Sequence, residues 1–439
     1  MRVRLPHPFV LLLGGVVVAA ALTWMIPAGH YHRQLDAATG REVVVPGTYE
    51  LVEAAPVGPM DALLAVPRGI VAGADVILVV LFVGGTFAFL ESTGALGRLL
   101  AGLVGGRLPP PAIVVVVSLV FATLGALENM GEEIVALIPI LLILSRNLGY
   151  GAVTAVAMSA GAAIVGSAFG PTNPFQTAVA LRLAELPAMS QPALRFVMLG
   201  ASVTIWIAWT LFMARRDDVR PEVASLPADG PTRRDGVLLM IAVLPFVPYV
   251  YGVLALDWGF NELSGLFLLA GLAIGLVSGL SLSESAVRFL KSMEGMLAAG
   301  LFIGVARAIS IALADGQILD TILHALATPL AKTSGVVSVL LMVPAQAVLH
   351  VPVVSVSGQA VLTMPIMAPL ADLIGVSRDA VVIAYQTGAG LCEMITPTNG
   401  GHMAVLLGAQ LPWGRWLRFA IPGALLVSIV GVIGILLAA

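Results

Sequence analysis

The chain is poor in charge and nearly without cysteine: Asp, Glu, Lys and Arg make up 11% of its 439 residues, and Cys392 is its single thiol. An ordinary soluble domain carries about 25% charged residues. One cysteine excludes an intramolecular disulfide and argues against a thiolate metal site. With so little charge, 59% hydrophobic residues and a mean hydropathy of +1.01, a soluble fold of this length could not hide its apolar surface. Lipid is the solvent that fits. The sequence has no HExxH motif and no convincing Ser–His or paired-Asp arrangement, which argues against an enzyme. It also has no nucleotide-binding domain, low-complexity tract or long polar tail, and no nucleic-acid partner is expected; the net charge of -3 says little, because the placement of charge matters more than its sum. What it has in excess is glycine (47) and proline (28), which in membranes accompany close helix packing and broken helices.

Apolar runs fall at about 8–27, 75–92, 111–126, 134–146, 151–184, 195–213, 236–254, 263–280, 294–313, 336–350, 359–371, 379–410 and 418–438. A regular span needs about 20 residues; several runs are shorter and two are much longer. The first run exceeds the apolar core of about 7–15 residues in a signal peptide, and more spans follow, so residues 1–27 read as an uncleaved first transmembrane helix. Residues 28–74 read as an external loop and interfacial segment, the polar stretch 28–60 being either a small β-hairpin or a loop. Arg215, Arg216, Arg220, Arg233 and Arg234 place the linker 214–235 in the cytoplasm with the N-terminus, and the C-terminus outside. Residues 236–293 are intervening transmembrane helices. Trp413 and Trp416, beside Arg415 and Arg418, are expected in an interfacial aromatic belt. His324 and Lys332, on an amphipathic stretch, are expected to face the interface.

An internal repeat is visible. Pro171-Thr172-Asn173 recurs 226 residues on as Pro397-Thr398-Asn399, and Ile138-Pro139-Ile140 recurs at the same spacing as Met364-Pro365-Ile366. Gly149 and Gly375 keep that offset too. The two copies, 75–213 and 294–439, begin on opposite sides of the bilayer by the charge bias. The expected fold is therefore an all-α polytopic membrane protein of two inverted repeats, each with a re-entrant hairpin and a broken transmembrane helix. Alternating access around a midplane site follows from that design.

The breaks carry the chemistry. Gly166-Ser167-Ala168-Phe169-Gly170-Pro171-Thr172-Asn173-Pro174 cannot continue a helix, because proline lacks the N–H donor. Freed carbonyls, with Ser167, Thr172 and Asn173 beside them, can satisfy backbone or coordinate a cation. Thr396-Pro397-Thr398-Asn399-Gly400-Gly401 is the second copy. Two plain proline kinks would look similar, but the shared Thr-Asn pair favours a function. The first hairpin tip holds Glu128, Asn129, Gly131, Glu132 and Glu133; carboxylates there are costly unless paired, hydrated or protonated. A solvated loop is the alternative, which the short arms 111–126 and 134–146 disfavour. The second tip is neutral, with Ser355, Ser357, Gly358 and Gln359. A buried Arg307 could grip a carboxylate or serve as counter-ion to Glu91 or a tip glutamate. Glu393 could hold a cation or a proton, or pair with a neighbour. His350 and His402 are readable as proton carriers or as ordinary helix-end histidines.

Gly358-Gln359-Ala360-Val361-Leu362-Thr363-Met364-Pro365-Ile366, followed by Ala368-Pro369-Leu370-Ala371-Asp372, resembles the YfcC-like branch of the C4-dicarboxylate anaerobic carrier family. Ile26-Pro27-Ala28-Gly29-His30-Tyr31, Val45-Pro46-Gly47-Thr48-Tyr49, Gly304-Val305-Ala306-Arg307 and Met130-Gly131-Glu132-Glu133 are similar to it as well. The resemblance implies the ion transporter superfamily, cation-coupled carriage or exchange of carboxylates or amino acids, and a homodimer. It also implies that the tips 128–133 and 353–359 and the breaks 170–174 and 396–401 form the sites. On that basis the substrate set is Glu128, Asn129, Glu132, Glu133, Asn173, Arg307, Ser355, Ser357, Gln359 and Asn399. The coupling-cation set is Gly131, Ser167, Thr172, Asn173, Gly358, Thr396, Thr398 and Asn399, with Na+ at the two breaks. Val354 and Val356, where a smaller residue is expected, and Gly400-Gly401 in place of a second Pro174 depart from the pattern and leave the substrate open.

The expected function is secondary active transport, across a bacterial inner membrane, of a small carboxylate-bearing solute: an amino acid, a peptide-like compound or a dicarboxylate. Na+ or H+ would couple it, or exchange would drive it, with no other cofactor. An arginine/ornithine-type basic amino-acid antiporter and an ion channel are the alternatives; a channel would need a continuous polar pore. Glu132 and Glu133 with Arg307 suit an α-amino acid, which carries both charges.

Overall fold

The computed structural model describes residues 8–36, 41–95, 98, 109–187, 189–215, 232–256, 258–333 and 335–439. Among them, eight helices are long and apolar enough to cross a bilayer. Their outward faces are aliphatic: Val197, Leu269, Leu425 and Leu437 are exposed, as lipid-facing positions should be. One helix differs. In Ala152–Phe169, 94% of residues are buried, against 33% in Pro192–Ala214. The first broken segment is thus the interior of the molecule, and the neighbouring helices shield its irregular backbone from lipid.

The first apolar run forms a helix only over Pro8–Leu22, about 22 Å at 1.5 Å per residue, shorter than expected from residues 8–27. The Thr23 hydroxyl donates to Ala20 O (2.6 Å) and accepts from Val57 N (2.9 Å), tying the helix end to the returning chain. The external segment forms two antiparallel strand pairs, Gly29–His30 with Glu50–Leu51 and Arg33–Asp36 with Arg41–Val44. It is docked on the helix Leu319–Leu330. Tyr31 N and Arg33 both bond Asp320, Tyr31 Oη lies 2.9 Å from His324 Nδ1, and Tyr49 stacks on His324 at 4.1 Å. His324 therefore faces this β unit rather than an interface.

The helix pairs are longer than the apolar runs predict. Pro110–Glu128 and Val356–Ile374 have 19 residues each, whereas their partners Ile134–Asn147 and Gly335–His350 have 14 and 16. Polar residues beyond the apolar runs are absorbed into the helices, Glu128 in the first and Ser357 and Asp372 in the second; Pro110 at the first turn is pre-set for a helix start, and Ser355, just outside, caps Val356–Ile374 by accepting from Gly358 N.

Both broken segments contain a π-helical turn, Ala157–Gly161 and Gln386–Gly390, a feature frequent at functional sites. Gly125 and Gly166 let Pro110–Glu128 and Ala162–Phe169 touch backbone to backbone: a Cβ on Gly166 would overlap the Ala122 carbonyl, and one on Gly125 that of Ala163. Trp416 is fully buried and donates to Met394 O at 2.7 Å. It is a core residue, not part of an interfacial belt, because its indole N–H serves the second break.

Candidate functional site

The two breaks are closed by the same bonds. Asn173 Nδ2 donates to Ser167 O (3.4 Å), and Asn399 Nδ2 to Glu393 O (3.3 Å). Asn173 Oδ1 accepts from Gln176 N (2.8 Å), and Asn399 Oδ1 from His402 N (3.0 Å). Thr172 Oγ1 donates to Ala126 O (3.1 Å), and Thr398 Oγ1 to Val351 O (2.7 Å). Asn399 thus caps the following half-helix Gly400–Gly408, Asn173 holds the turn at Phe175 and Gln176 ahead of Thr177–Leu183, and both bridge back across their breaks. Each Thr ties its break to the end of a neighbouring helix. In this conformation these polar groups satisfy backbone that lipid could not.

The first tip is built on Asn129, whose left-handed backbone (φ 60°, ψ 35°) stops Pro110–Glu128; Asn tolerates that region because its short side chain bonds locally. Asn129 Oδ1 accepts from Ser167 Oγ and from Asn173 Nδ2 (3.1 Å). Glu133 is buried and turns back to accept from Gly131 N at 3.0 Å. The side chain of Glu128 lies outside the described residues.

Asn129, Glu132, Ser167, Glu393, Asn399 and His402 line an interior cavity of about 40 Å³. At ~10–15 Å³ of such space per water, it holds an ion or a few waters, not an amino acid. Glu132 packs on Gly401, where a Cβ would lie 2.9 Å from Glu132 Cγ. Glu132 is in electrostatic reach of Glu393, Glu133, Asp75 and Arg307. His402 is buried, lies 5.2 Å from Trp416, and has both ring nitrogens without a hydrogen-bond partner. Buried polar atoms of that kind call for a partner; water, an ion or a substrate group would supply one.

Some expected residues are elsewhere. The second tip does not line the cavity. Gln359 is saturated: its Nε2 donates to Gln346 O (2.8 Å) and Gln346 Oε1 (2.7 Å), and its Oε1 lies 2.8 Å from His350 Nδ1. Ser355 serves as the helix cap, with Ser357 Oγ 3.4 Å from its hydroxyl. Thr396 Oγ1 lies 2.7 Å from Thr398 Oγ1. The second half reaches the cavity through Glu393, Asn399 and His402. Arg307 is exposed rather than buried, beside Gly73, and its electrostatic partner is Glu132 rather than Glu91. Asp75 was not foreseen. An acid in the first turn of Ala74–Ser92 reads from sequence as ordinary dipole complementation, and nothing local signals its approach to residue 132.

The model of the C4-dicarboxylate anaerobic carriers matches residues 5–439. The chain belongs to this family. It is a multi-pass membrane protein of a transporter family, and the YfcC-like resemblance holds along its length. The Escherichia coli K12 protein named "Putative basic amino acid antiporter YfcC" is 28% identical over 95% of this chain and 93% of its own. An uncharacterized protein of Haemophilus influenzae is also 28% identical, with the same two coverages. Among solved structures, the carrier is similar to the Alcanivorax borkumensis YdaH transporter (18% identity, 98% of both chains, TM-score 0.48). It is also similar to Neisseria gonorrhoeae MtrF, of a class of antimetabolite efflux pumps (17% identity, 98% of this chain and 94% of that one, TM-score 0.45). Likenesses of that order bear on neither substrate nor mechanism.

Proposed function

We propose that this carrier moves a small cationic amino acid across the bacterial inner membrane by alternating access, in exchange for a second cationic solute or coupled to Na+ or H+. One observation supports this above the others: the cavity between the two breaks is acidic. Glu132 and Glu393 line it, Glu133 and Asp75 lie within reach of Glu132, and Arg307 is the single cation among these groups. A C4-dicarboxylate would add two negative charges to this cluster. A cationic amino acid brings ammonium groups to the glutamates and one carboxylate to Arg307, a geometry guanidinium favours. The name borne by the E. coli relative points to the same substrate class.

In this reading the halves 75–213 and 294–439 are inverted repeats, and the helix pairs 110–147 and 335–374 are their re-entrant hairpins. The N-terminus is cytoplasmic, the C-terminus is external, and two chains form a dimer. The small cavity is the closed state between exchanges. Ser167, the Thr-Asn pairs and the Gly131 backbone would hold Na+ if sodium couples the cycle. Glu132 and Glu393 would hold a proton if protons do.

Counterflow in proteoliposomes tests it. Vesicles loaded with unlabelled arginine should accumulate labelled arginine, lysine or ornithine, and Glu132→Gln and Glu393→Gln should each cut the rate by about tenfold or more, the scale of losing one charged contact. Counterflow of succinate or fumarate with no response to cationic amino acids would overturn the substrate class. An unchanged KM in Arg307→Ala would remove the carboxylate contact alone.

A further inference from the structure

Outside the transport site, the β unit that follows the first helix carries a second set of convergent side chains. Tyr31 and His32 link the strands Gly29–His30 and Arg33–Asp36, and in extended backbone successive side chains alternate faces. Tyr31 therefore points toward the helix Leu319–Leu330, bonding Asp320 through its N–H and His324 through its hydroxyl. His30 and His32 point the other way, with rings nearly parallel (10°) and centroids 5.8 Å apart. The pairing of Gly29–His30 with Glu50–Leu51 sets His30 directly opposite Glu50, where cross-strand side chains meet. One carboxylate oxygen, Glu50 Oε1, lies 3.5 Å from His30 Nε2 and 3.4 Å from His32 Nε2. One ligand atom from each of the three residues can be chosen so that all lie within 4.8 Å of one another.

From this geometry we infer a divalent transition-metal site, His30–His32–Glu50, best suited to Zn2+. Zinc binds histidine nitrogen at about 2.0–2.1 Å and carboxylate oxygen at about 2.0–2.2 Å in tetrahedral geometry. Those bond lengths put neighbouring ligand atoms ~3.3–3.5 Å apart, the separation already present on both sides of Glu50. Two imidazoles select zinc, copper or nickel over calcium and magnesium, which prefer all-oxygen sites. The fourth position opens to solvent, since His32 and Glu50 are exposed, so the metal is exchangeable and carries a water. Part of the frame is fixed before metal arrives: His32 N donates to Thr48 Oγ1 (3.0 Å), and Thr48 Oγ1 to Val45 O (2.7 Å). A bound ion would cross-link the two strands that hold Tyr31 and Tyr49 against His324, and so fasten the β unit to the helix beneath. The site is independent of the substrate assignment.

The test uses the full chain in detergent, with any affinity tag removed. Isothermal titration with Zn2+ alone at pH 7.5 should give one saturable site per chain. His32→Ala and Glu50→Gln should each weaken it by about tenfold or more, and His30→Ala/His32→Ala should abolish it. Melting temperatures measured in EDTA should match wild type, which separates ligand loss from misfolding. Co2+ bound in place of zinc should show visible bands of tetrahedral intensity, absent in the double variant. Absence of saturable binding, or binding and cobalt bands unchanged in the double variant, would overturn the assignment.

Discussion

Gln386, in the second π turn, donates its amide to the carbonyl of Ala168, just before the first break, at 3.0 Å. It also donates to Thr177 Oγ1 at 2.7 Å, on the far side of that break. Its own oxygen accepts from Arg195 Nη1 at 2.6 Å, and Arg195 Nη2 pairs with Asp379 at 3.0 Å. One buried polar node therefore joins the two broken segments to each other and to the helix Pro192–Ala214.

Arg195→Ala leaves Asp379 buried without its cation, an error that costs about 3–5 kcal/mol. The expected result is a large fall in melting temperature in detergent. Replacing both charges with apolar residues, as in Arg195→Met/Asp379→Leu, should recover most of the loss. A single variant as stable as wild type would show that the node contributes nothing.

Asn399 caps the half-helix Gly400–Gly408 and Asn173 closes the first break through its amide, so Asn399→Ala should lower stability by about 0.5–2 kcal/mol and Asn173→Ala, which strands buried backbone groups, by about 1–3 kcal/mol. Asn399→Ser keeps an acceptor for His402 N and should recover much of it. Denaturation followed by a thiol-reactive dye at Cys392, which is buried, would order the three variants.

Gly401→Ala inserts a methyl group 2.9 Å from Glu132 Cγ. Glu132 must move, so transport should fall severely while the melting temperature shifts little. Gly200→Ala, where nothing lies within 4 Å, is the control and should transport normally. Equal rates in both variants would show that the position of Glu132 does not matter to the cycle.

Burial, reinforced by the Asp320 carboxylate, pushes the Tyr31 phenol up to about 12. The fold favours the neutral phenol. Its contribution is full below the ordinary tyrosine value of about 10 and is lost as pH rises from there toward 12. Tyr31→Phe should therefore melt lower than wild type at pH 7, for want of the bond to His324, yet lose less stability between pH 10 and 12. Parallel losses in the two proteins would assign the alkaline transition to other groups.

Several residues that line the cavity, Asn129, Glu132, Ser167 and Asn399, were singled out before the fold. The two Thr-Asn breaks and the acidic tip stand out because proline, glycine and carboxylates are anomalous inside apolar runs, whatever surrounds them. Gln359, Ser355 and Ser357 lie away from the cavity, and the sequence could not foretell that, because a hydroxyl or amide near a helix start looks the same whether it awaits a ligand or caps a backbone. Trp416 misled for a similar reason. A tryptophan beside arginines suits an interface, and only its bond to Met394 shows that it belongs to the core. The π turns left no readable mark, since an inserted residue in a helix of small side chains keeps its composition.

By itself the sequence determined the solvent, the helical class and the places where helices must break. Those follow from composition and from proline's missing donor, which no packing can supply. The tertiary structure decided which polar groups share a cavity: Glu132 of one half with Glu393 and His402 of the other, and Asp75 and Arg307 within reach. Such neighbours are set by how distant helices cross, and glycines at the crossings, Gly125, Gly166 and Gly401, let them approach closely enough for the charges to meet.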